Sequence, residues 1–447
     1  MKVKVQLDIK GLIESGNFRT LKTILQQQEP ADILELIDEL PPDEKIVVFR
    51  LLQKDQAALV FSELEYDDQI ALINLFKEER LREIISSMDP DDRTELLEEL
   101  PANVVNRLLS YLSPEDRELT LSILNFPENS AGRLVTPKCV ELKPQMTANE
   151  ALEKVRKEGP DKETVYTLMV IDETRKLLGT LELRDLIFSD PSKHVEEIME
   201  TEPVFVHATD DQEKAAEIMK KYDLIVLPVV DNEERLIGII TVDDIVDVID
   251  EEATEDIQRM ASMGTTYNSY FHVKPWHFFV KRLPWLAALL LIESVNGNVI
   301  ARFEHILASL PVIAAFIPTM MDTGGNTGSQ ISALIIRGMA LNEIKLKDWW
   351  KVLLKETLIG LSIAATLGVI LFFRSMLISS SLQICFAVSV ALSVVVIFSN
   401  VVGALLPFAA SIFKVDPAVM AGPFLTTIVD VFGIIVYFLT VSQLLPA

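Results

Sequence analysis

The residues of this chain best suited to handle an ion lie in a short polar segment surrounded by apolar sequence. The segment reads Pro318-Thr-Met-Met-Asp-Thr-Gly-Gly-Asn-Thr-Gly-Ser-Gln330 and contains Asp322, Asn326 and the pair Gly324 and Gly325. Loose backbone is tolerated at membrane depth only where it lines a cavity or is buried in protein. The glycine pair therefore predicts a break in a helix, beside a conduction path or a binding site.

A second carboxylate, Asp430, lies in the last apolar stretch, which contains no Lys, Arg or His. An ionised aspartate inside a membrane is costly and usually marks a pathway. Magnesium dehydrates reluctantly and is commonly held through its waters, so one aspartate with an asparagine and backbone carbonyls suits hydrated Mg²⁺. A potassium filter would need rings of carbonyls from repeated loops, which the sequence lacks. These residues favour transport of a divalent cation.

Five apolar stretches predict five membrane-spanning helices, because about 20 apolar residues are enough to cross a bilayer. They lie at about 279–302, 307–337, 349–373, 382–412 and 417–444. The second stretch is too long for one straight crossing, so we expect it to bend at Gly324 and Gly325. Glu293, in the first stretch, faces either the ion path or a subunit interface.

Basic residues predict the orientation of these spans. Lys281 and Arg282 precede the first span, and a second group around Lys345 and Lys351 lies between the second and third spans. The positive-inside rule then places the N-terminus in the cytoplasm and the C-terminus outside the cell membrane. One protomer with five spans offers few walls for a pore, so we expect a symmetric homodimer with the pore on its axis.

The chain is acidic outside this apolar region. It carries 66 acidic and 41 basic residues, of which 8 and 10 fall in residues 275–447, so residues 1–274 hold 58 acids against 31 bases. This excess excludes nucleic acid as a natural partner and suits bound divalent cations, although solubility alone also explains it.

Cys139 and Cys385 lie in different parts of the chain, which predicts no disulfide. The N-terminal segment lacks a signal-peptide core, so we expect the acidic part to be cytoplasmic.

A short motif recurs at equal intervals within positions 1–130. Its four copies are Pro42-Asp-Glu, Tyr66-Asp-Asp, Pro90-Asp-Asp and Pro114-Glu-Asp, each before an apolar-periodic run. Proline followed by acids is typical of a helix start. A period of about 24 residues predicts a pair of short helices per unit, stacked as a solenoid. Capping and interaction with the helix dipole explain most of these acids.

A second repeat relates two longer segments. Leu168–Asp185 and Leu227–Asp244 both read as strand, charged turn, strand and helix. They resemble a tandem pair of CBS domains, a regulatory module that often binds adenine nucleotides. The family's signature of Gly, Thr or Ser, and Asp is present in the second copy as Gly238, Thr241 and Asp244. The first copy has Glu182 in place of the hydroxyl, and a glutamate repels phosphates. We therefore expect a single nucleotide, at the second copy.

Residues 244–262 predict an acidic helix that leads into the apolar region. Asp244, Asp247, Glu251 and Glu255 recur at helical spacing on one face. Like charges at this spacing destabilise a helix by a few tenths of a kcal/mol each (about 0.2–0.5). A bound cation would reverse this penalty, whereas a well-solvated linker helix is the simpler alternative.

Taken together, these features resemble the MgtE family of magnesium channels and transporters over essentially the whole chain. The most specific motifs are Gly324-Gly-Asn-Thr-Gly-Ser-Gln330, Glu252-Ala-Thr-Glu-Asp-Ile257 and the segment Asp416–Asp430. The resemblance implies a homodimeric channel in which Asp430 holds hydrated Mg²⁺. It assigns to the ion path Asp322, Gly324, Gly325, Asn326, Thr426 and Asp430. It implies no catalytic residue, and the sequence shows no nucleophile–base pair typical of an enzyme.

The resemblance also implies feedback, in which cytoplasmic Mg²⁺ binds the acidic domains and closes the pore. The sensor residues that it implies are Asp91, Asp92, Asp211, Glu213, Asp223, Asp244, Asp247, Glu252, Glu255, Asp256 and Asp416. ATP at the CBS pair is expected to strengthen Mg²⁺ sensing, through Gly238, Thr241 and Asp244.

The predicted architecture is a multidomain membrane protein. It has an all-α helical-repeat N-domain (1–130), an α/β tandem CBS pair (131–196 and 197–250), an acidic connecting helix (251–274) and a five-helix transmembrane domain (275–447). A Na⁺-coupled divalent-cation exchanger and a membrane-anchored nucleotide or Mg²⁺ sensor that conducts nothing remain as alternatives. Selectivity among Mg²⁺, Mn²⁺, Co²⁺ and Ni²⁺ stays open.

Overall fold

The computed structural model describes residues 9–38, 40–261, 275–340 and 343–445. The chain divides into two compact units, Met1–Glu252 and Ala253–Ala447. The proposed connecting region 251–274 lies partly outside the described residues, since residues 262–274 are not described.

Ten short helices form the first part of unit 1. They are α1 (Ile9–Glu14), α2 (Phe18–Leu25), α3 (Pro30–Ile37), α4 (Pro42–Leu51), α5 (Lys54–Ser62), α6 (Tyr66–Leu75), α7 (Glu78–Ile85), α8 (Pro90–Glu99), α9 (Ala102–Leu109) and α10 (Pro114–Leu124). From α3 to α10 the helix starts are evenly spaced along the chain, and every second start falls on one copy of the sequence motif. The structure thus contains the pair of helices per repeat that the sequence predicts.

The helix starts follow from proline, and the stacking follows from the apolar faces. Proline occupies a first helical position in α3, α4, α8 and α10, where its missing N–H costs nothing. One continuous apolar core runs through α1–α9. Phe49, Phe61 and Phe76 from successive helices pack edge-on or tilted within it, with ring centroids 5.6–6.2 Å apart. Each helix therefore buries its apolar side against its neighbours.

The second part of unit 1 is α/β and consists of two similar halves. The first contains β1 (Glu141–Leu142), α11 (Ala148–Glu158), β2 (Thr167–Ile171), β3 (Leu177–Glu182) and α12 (Leu183–Phe188). The second contains β4 (Val206–His207), α13 (Gln212–Tyr222), β5 (Val226–Val230) and β6 (Leu236–Thr241), followed by α14 (Val242–Met260). In both halves the middle strand pairs parallel with the first strand and antiparallel with the third. This is the repeated pattern that the sequence predicts.

A shared apolar core holds the two halves together. It includes Met169 and Ile171 of β2, Val226 and Val230 of β5, and Ile239 of β6. The two short turns also pair, since Lys176 and Arg235 form an antiparallel bridge. The middle strands β2 and β5 are buried on both faces, which explains their continuous apolar runs.

Unit 2 is helical. After the end of α14 it contains α15 (Pro275–Arg302), α16 (Glu304–Ser309), a 3₁₀ turn (Pro311–Phe316), α17 (Ile317–Ala340), α18 (Trp349–Ser375), α19 (Leu382–Ile412), α20 (Pro417–Ala421) and α21 (Pro423–Leu444). Helix α19 packs against α17, α18 and α21, and α15 packs on α21.

Three helical segments among the described residues are long and apolar enough to cross a membrane. They are Leu346–Ser375, Leu382–Ile412 and Pro417–Leu444. Helices α15 and α17, with 28 and 24 residues, occupy the positions of the first two predicted spans. Lys281, Arg282 and Glu293 in α15 and the polar segment of α17 lower their hydropathy.

The prediction of a helix break at the glycine pair is wrong. Helix α17 is continuous through Gly324 and Gly325, and the change of direction precedes it, at residues 303–316. The glycines instead allow close helix packing, as small residues do in membrane helices. A β-carbon at Gly324 would lie 3.0 Å from Val429 Cγ1. One at Gly403 of α19 would lie 2.6 Å from the carbonyl oxygen of Gly328.

Candidate functional site

Two polar pairs lie on neighbouring helices of unit 2. Asp322 and Asn326 are one turn apart on α17 and exposed, while Thr426 and Asp430 are one turn apart on α21 and half-buried. The two helices meet closely because Gly325 has no side chain: a β-carbon there would lie 3.2 Å from Thr426 Cγ2. We call Asp322, Asn326, Thr426 and Asp430 the ion-path cluster. Asp322 sits within the continuous helix α17.

A third helix adds a carboxylate to this cluster. The carboxylates of Glu293 on α15 and Asp322 on α17 both interact electrostatically with that of Asp430. The resemblance assigned no role to Glu293. A signal in the sequence could have identified Glu293 as a site residue, because it is an acid within an apolar helix. Its nearest basic residues in sequence, Arg282 and Arg302, lie more than two helical turns away.

The side chains of the ion-path cluster offer oxygen acceptors rather than a preformed cage. The Thr426 hydroxyl donates to the carbonyl oxygen of Pro423 (2.8 Å), which leaves its lone pairs available as acceptors. Across residues 9–38, 40–261, 275–340 and 343–445, no three acidic, His or Cys side chains are grouped closely enough to hold a metal ion.

Buried carboxylates from the helical repeats and the CBS pair face one another within unit 1. Burial, and then the charges of Asp244 and Asp92, raise the pKa of Asp91 to about 8. Burial, and then Asp89 and Asp244, raise the pKa of Asp92 to about 7. Burial is also the main cause that raises the pKa of Asp244, to about 6. One oxygen of Asp91 is buried without a hydrogen-bond partner among the described residues. Such a group attracts cations.

Sequence reasoning missed two members of this buried acidic cluster. Burial, and then Asp89, raise the pKa of Glu163 to about 7, and burial followed by Asp247 raises the pKa of Glu63. Burial, followed by the acids around it in α14, also raises the pKa of Asp247. Glu163 precedes β2 in a loop and Glu63 follows α5, so neither belongs to a repeat or motif. We call Glu63, Asp91, Asp92, Glu163, Asp244 and Asp247 the buried acidic cluster.

Other sensor candidates of unit 1 have structural roles. Asp211 caps α13 by accepting a hydrogen bond from the Glu213 N–H (2.9 Å), and Asp223 ends the same helix with a left-handed φ of 53°. The two ends are separated by 11 residues, or about 16 Å at 1.5 Å per residue, so Asp211 and Asp223 cannot bind one ion together. Gln212 Nε2 donates to Glu252 (2.9 Å).

The remaining sensor candidates meet a basic residue in unit 2. Arg259, near the end of α14, forms ion pairs with Glu255 and Asp416. Asp416 also caps α20 by accepting from the Ala418 N–H (2.8 Å). Burial, and then the charge of Asp416, raise the pKa of Asp256. Arg259 was missed because its partner Asp416 lies far away in sequence.

One cavity of the CBS pair lies at the first copy and is also lined by residues of the second copy. The nucleotide site predicted at Gly238, Thr241 and Asp244 of the second copy stays a prediction. The cavity measures about 780 Å³ and is lined by Glu182, Arg184, Asp185 and Glu200 and by the apolar side chains of Tyr166, Ile187, Tyr222 and Ile225. At the second copy Thr241 donates its hydroxyl to Asp244 (2.9 Å). A β-carbon at Gly238 would lie 2.4 Å from the Thr136 carbonyl oxygen, so backbone closes that side.

Comparisons with known proteins agree with this organisation. Residues 317–440 match the family model of a divalent cation transporter, MgtE, and residues 28–129 match the MgtE intracellular N domain. Residues 131–191 and 195–251 match the CBS domain. The chain is 38% identical to a magnesium transporter MgtE of Thermus thermophilus over 448 residues, which cover 100% of this chain and 99% of that protein.

Two further relatives cover parts of the chain. A magnesium transporter MgtE of Bacillus subtilis is 33% identical over 316 residues, 71% of this chain and 70% of that protein. The crystal structure of the cytosolic domain of the Mg²⁺ channel MgtE in complex with ATP is similar to 54% of this chain and 98% of that one, with 40% identity and a TM-score of 0.52.

Apolar membrane-length helices, a polar cluster between them and a CBS pair define a membrane transport protein with an attached regulatory region. This is a class of transporters rather than of enzymes. The chain belongs to the MgtE family.

Proposed function

We propose that this protein is a channel through which hydrated Mg²⁺ enters the cell, and that Mg²⁺ bound to the acidic domains closes it. The observation that carries the proposal is the meeting of Asp322 and Asp430 on packed helices of the membrane unit. Two carboxylates that repel each other in an apolar unit are stabilised by a cation between them. The full-length similarity to a protein named as a magnesium transporter supports the choice of ion.

Hydrated Mg²⁺ suits the side chains that line the ion-path cluster. Mg²⁺ keeps several of its waters when proteins bind it, and these waters donate hydrogen bonds. Asn326 and Thr426 supply acceptor oxygens for them, while Asp322 and Asp430 supply the charge. The continuous α17 keeps Asp322 and Asn326 at a fixed separation of one turn.

The acidic residues outside the membrane support the proposed closure by Mg²⁺. The buried acidic cluster joins α8 of the helical repeats to α14, and a cation bridging these carboxylates would hold them together. The group formed by Glu255, Asp256 and Asp416 would act in the same way at the end of α14. A ligand shifts a gating equilibrium only by its differential affinity for the two states, and several weak sites together give a steep response.

We further propose that ATP binds the cavity at the first CBS copy. The related cytosolic domain was crystallised with ATP, and the cavity of this chain has apolar walls for a base in Tyr166, Tyr222 and Ile225. Asp185 occupies the acidic position of the nucleotide signature, where it would accept hydrogen bonds from a ribose, and Arg184 lies beside it. The negative charge of Glu182 would repel a free phosphate group. The nucleotide signature has a hydroxyl residue at this position, so this chain departs from it here.

Membrane placement and assembly complete the proposal. Helices α15 and α17 would cross together with the three apolar segments, giving five spans, a cytoplasmic N-terminus and an external C-terminus in the cell membrane. Many large apolar side chains of α15 and α18 are exposed, among them Leu286, Leu290 and Leu358. Lipid and a second protomer would cover them, and a pore would lie on the axis of the homodimer.

The test is Mg²⁺ flux into liposomes that contain the purified protein. We expect Asp430→Ala to lose nearly all flux, and Glu343→Ala, which changes an exposed acid between α17 and α18, to keep it. We expect wild-type flux to stop as Mg²⁺ rises on the side of the acidic domains. Flux that requires a Na⁺ gradient would indicate an exchanger. Absence of flux from the wild type, or full flux in Asp430→Ala, would refute the channel.

A further inference from the structure

We propose that Glu293 is a further carboxylate of the Asp430 ion site, so that the passing cation meets negative charges from α15 as well as from α17 and α21. This inference rests on the proposed function and adds a residue to which the resemblance assigns no role. The added charge makes the site favour a hydrated divalent cation over a monovalent cation more strongly.

The stripe of α15 that faces α21 carries Glu293. Leu289 and Asn296 are buried residues of α15, and Trp285 places its ring 6.5 Å from that of Phe424 on α21. Steps of three and four residues lie on one helix face, so Trp285, Leu289, Glu293 and Asn296 form one stripe. Glu293 lies between the two buried residues and remains accessible.

The heights along the two helices also match. Trp285 and Phe424 mark a common level. From that level, the rise along α15 to Glu293 is about 12 Å and the rise along α21 to Asp430 is about 9 Å, at 1.5 Å per residue. In the five-span arrangement both helices cross in the same direction, so the two carboxylates reach a similar depth. Their electrostatic interaction agrees with this placement.

A cation between the carboxylates is the most direct way to stabilise them. Helix α21 contains no Lys, Arg or His, and the half of α15 from Trp285 onward contains only Arg302, at its end. Asn296, 8% exposed, has its side-chain oxygen buried without a hydrogen-bond partner in the part of the chain that the structure describes. This acceptor lies one turn from Glu293 on the same stripe, where it would receive a hydrogen bond from the water shell of an ion.

Paired carboxylates change selectivity because Coulomb attraction grows with the product of the charges. A site with several negative charges gains more from a divalent than from a monovalent ion, and most from a trivalent one. Hexaamminecobalt(III) resembles hydrated Mg²⁺ in size, carries three charges and does not exchange its ligands. It therefore probes the charge of the site without entering as a bare ion.

The test compares block of Mg²⁺ flux by hexaamminecobalt(III) in liposomes that contain the full-length protein. Glu293→Gln should raise the half-blocking concentration by about tenfold, the effect of losing about 1.4 kcal/mol. Glu293→Asp should keep it within about twofold, because the charge remains near the same position. Glu304→Gln serves as the matched control, since Glu304 is an exposed acid of neighbouring α16, and should behave as the wild type.

The outcomes separate this inference from the proposed function. Unchanged block in Glu293→Gln, with normal Mg²⁺ flux in the wild type, would overturn the role of Glu293 alone. Weaker block that appears equally in Glu293→Asp, together with loss of the dimer in size-exclusion chromatography, would make Glu293 a subunit contact and also overturn the inference. A wild type without flux would refute the channel itself.

Discussion

Glu182 stands where the nucleotide signature of the CBS domain has a hydroxyl. It lines the first-copy cavity together with Asp185, Glu200 and Asp223, and Arg184 is the one basic residue among the described residues that line it. If ATP binds here as proposed, these charges oppose free ATP and favour ATP whose charge Mg²⁺ has reduced. Nucleotide binding here should therefore depend on Mg²⁺ more strongly than in a cavity with a hydroxyl at this position.

Replacement of Glu182 by the signature residue tests this dependence. In excess chelator, Glu182→Thr should bind ATP about tenfold more tightly than the wild type, because it removes one repulsive charge and adds a hydroxyl donor. Isothermal titration calorimetry on the full chain measures the affinity. Glu196→Thr, which changes an exposed acid of the first CBS copy, should leave it unchanged. Equal or weaker binding by Glu182→Thr would contradict the expectation.

Single residues were predictable where their chemistry is local. A proline before acids indicates a helix start within a few positions, and the helix starts were predicted in this way. An aspartate among apolar residues likewise marks Asp430 as a candidate for the ion path. Glu163 and Arg259 were not, because their roles depend on partners distant in sequence, Asp89 and Asp416. Fold geometry alone brings such groups together.

Helix α14 places a positive charge among the acids near its end. Arg259 pairs with Glu255 and Asp416, and both are sensor candidates. A guanidinium held there neutralises the same oxygens that a divalent ion would use. If Glu255 and Asp416 bind Mg²⁺ as proposed, Arg259 competes with the ion for them.

Removal of this competitor should make closure more sensitive. In Arg259→Gln, the internal Mg²⁺ concentration that halves flux should fall about threefold, a size suited to a partly exposed ion pair worth under about 1 kcal/mol. Arg259→Lys keeps the charge and should stay near the wild type. Liposome flux measured over a series of internal Mg²⁺ concentrations provides the comparison. A half-closing concentration that stays constant in Arg259→Gln would show that Arg259 does not compete with Mg²⁺, and one that rises would show that the ion pair itself supports closure.

Elements were predictable where a pattern repeats. The recurring proline–acid motif predicted paired helices, and the two matching segments Leu168–Asp185 and Leu227–Asp244 predicted two similar α/β halves; both are present. The glycine-rich segment was misjudged because glycine has two uses that look alike in sequence. It can free the backbone, or it can let two helices approach, and only the positions of Val429 and Thr426 against α17 decide between them.

The whole molecule separates an acidic unit from a nearly neutral membrane unit. Within unit 1 the buried acidic cluster works against folding when its members are ionised. A carboxyl group whose folded pKa is raised binds protons more readily in the folded state, so its cost is absent below the unfolded pKa and complete above the folded pKa. For Asp91, Asp92 and Glu163 this window runs from about pH 4 to about pH 8.

Stability without metal should therefore fall as the pH rises. In chelator, the thermal midpoint of the full-length protein in detergent should decrease by several degrees between pH 5 and pH 8. Saturating Mg²⁺ at pH 8 should restore it, because the ion replaces the lost protons. Differential scanning fluorimetry measures both effects, and KCl at equal ionic strength controls for screening. A midpoint that is flat or rises with pH in chelator would argue against a cost from these acids.

The overall plan could be predicted because hydropathy and charge divide the chain so sharply. Among the described residues, three of the five predicted spans match helices that are long and apolar enough to cross a membrane. Helices α15 and α17, at the positions of the other two, carry polar residues that lower their hydropathy. The first-copy cavity was unpredictable, because its lining comes from segments around Tyr166 and Tyr222, which belong to different CBS copies.

The even spacing of helix starts from α3 to α10 also bears on how such a chain can change over generations. In this region, helices that begin at a copy of the motif alternate with helices that do not. Insertion or loss of one whole repeat adds or removes one helix of each type, so the alternation is kept. A change of half a repeat instead places two helices of the same type side by side. Gene duplication or deletion can therefore change the length of the helical-repeat region only by two helices at a time.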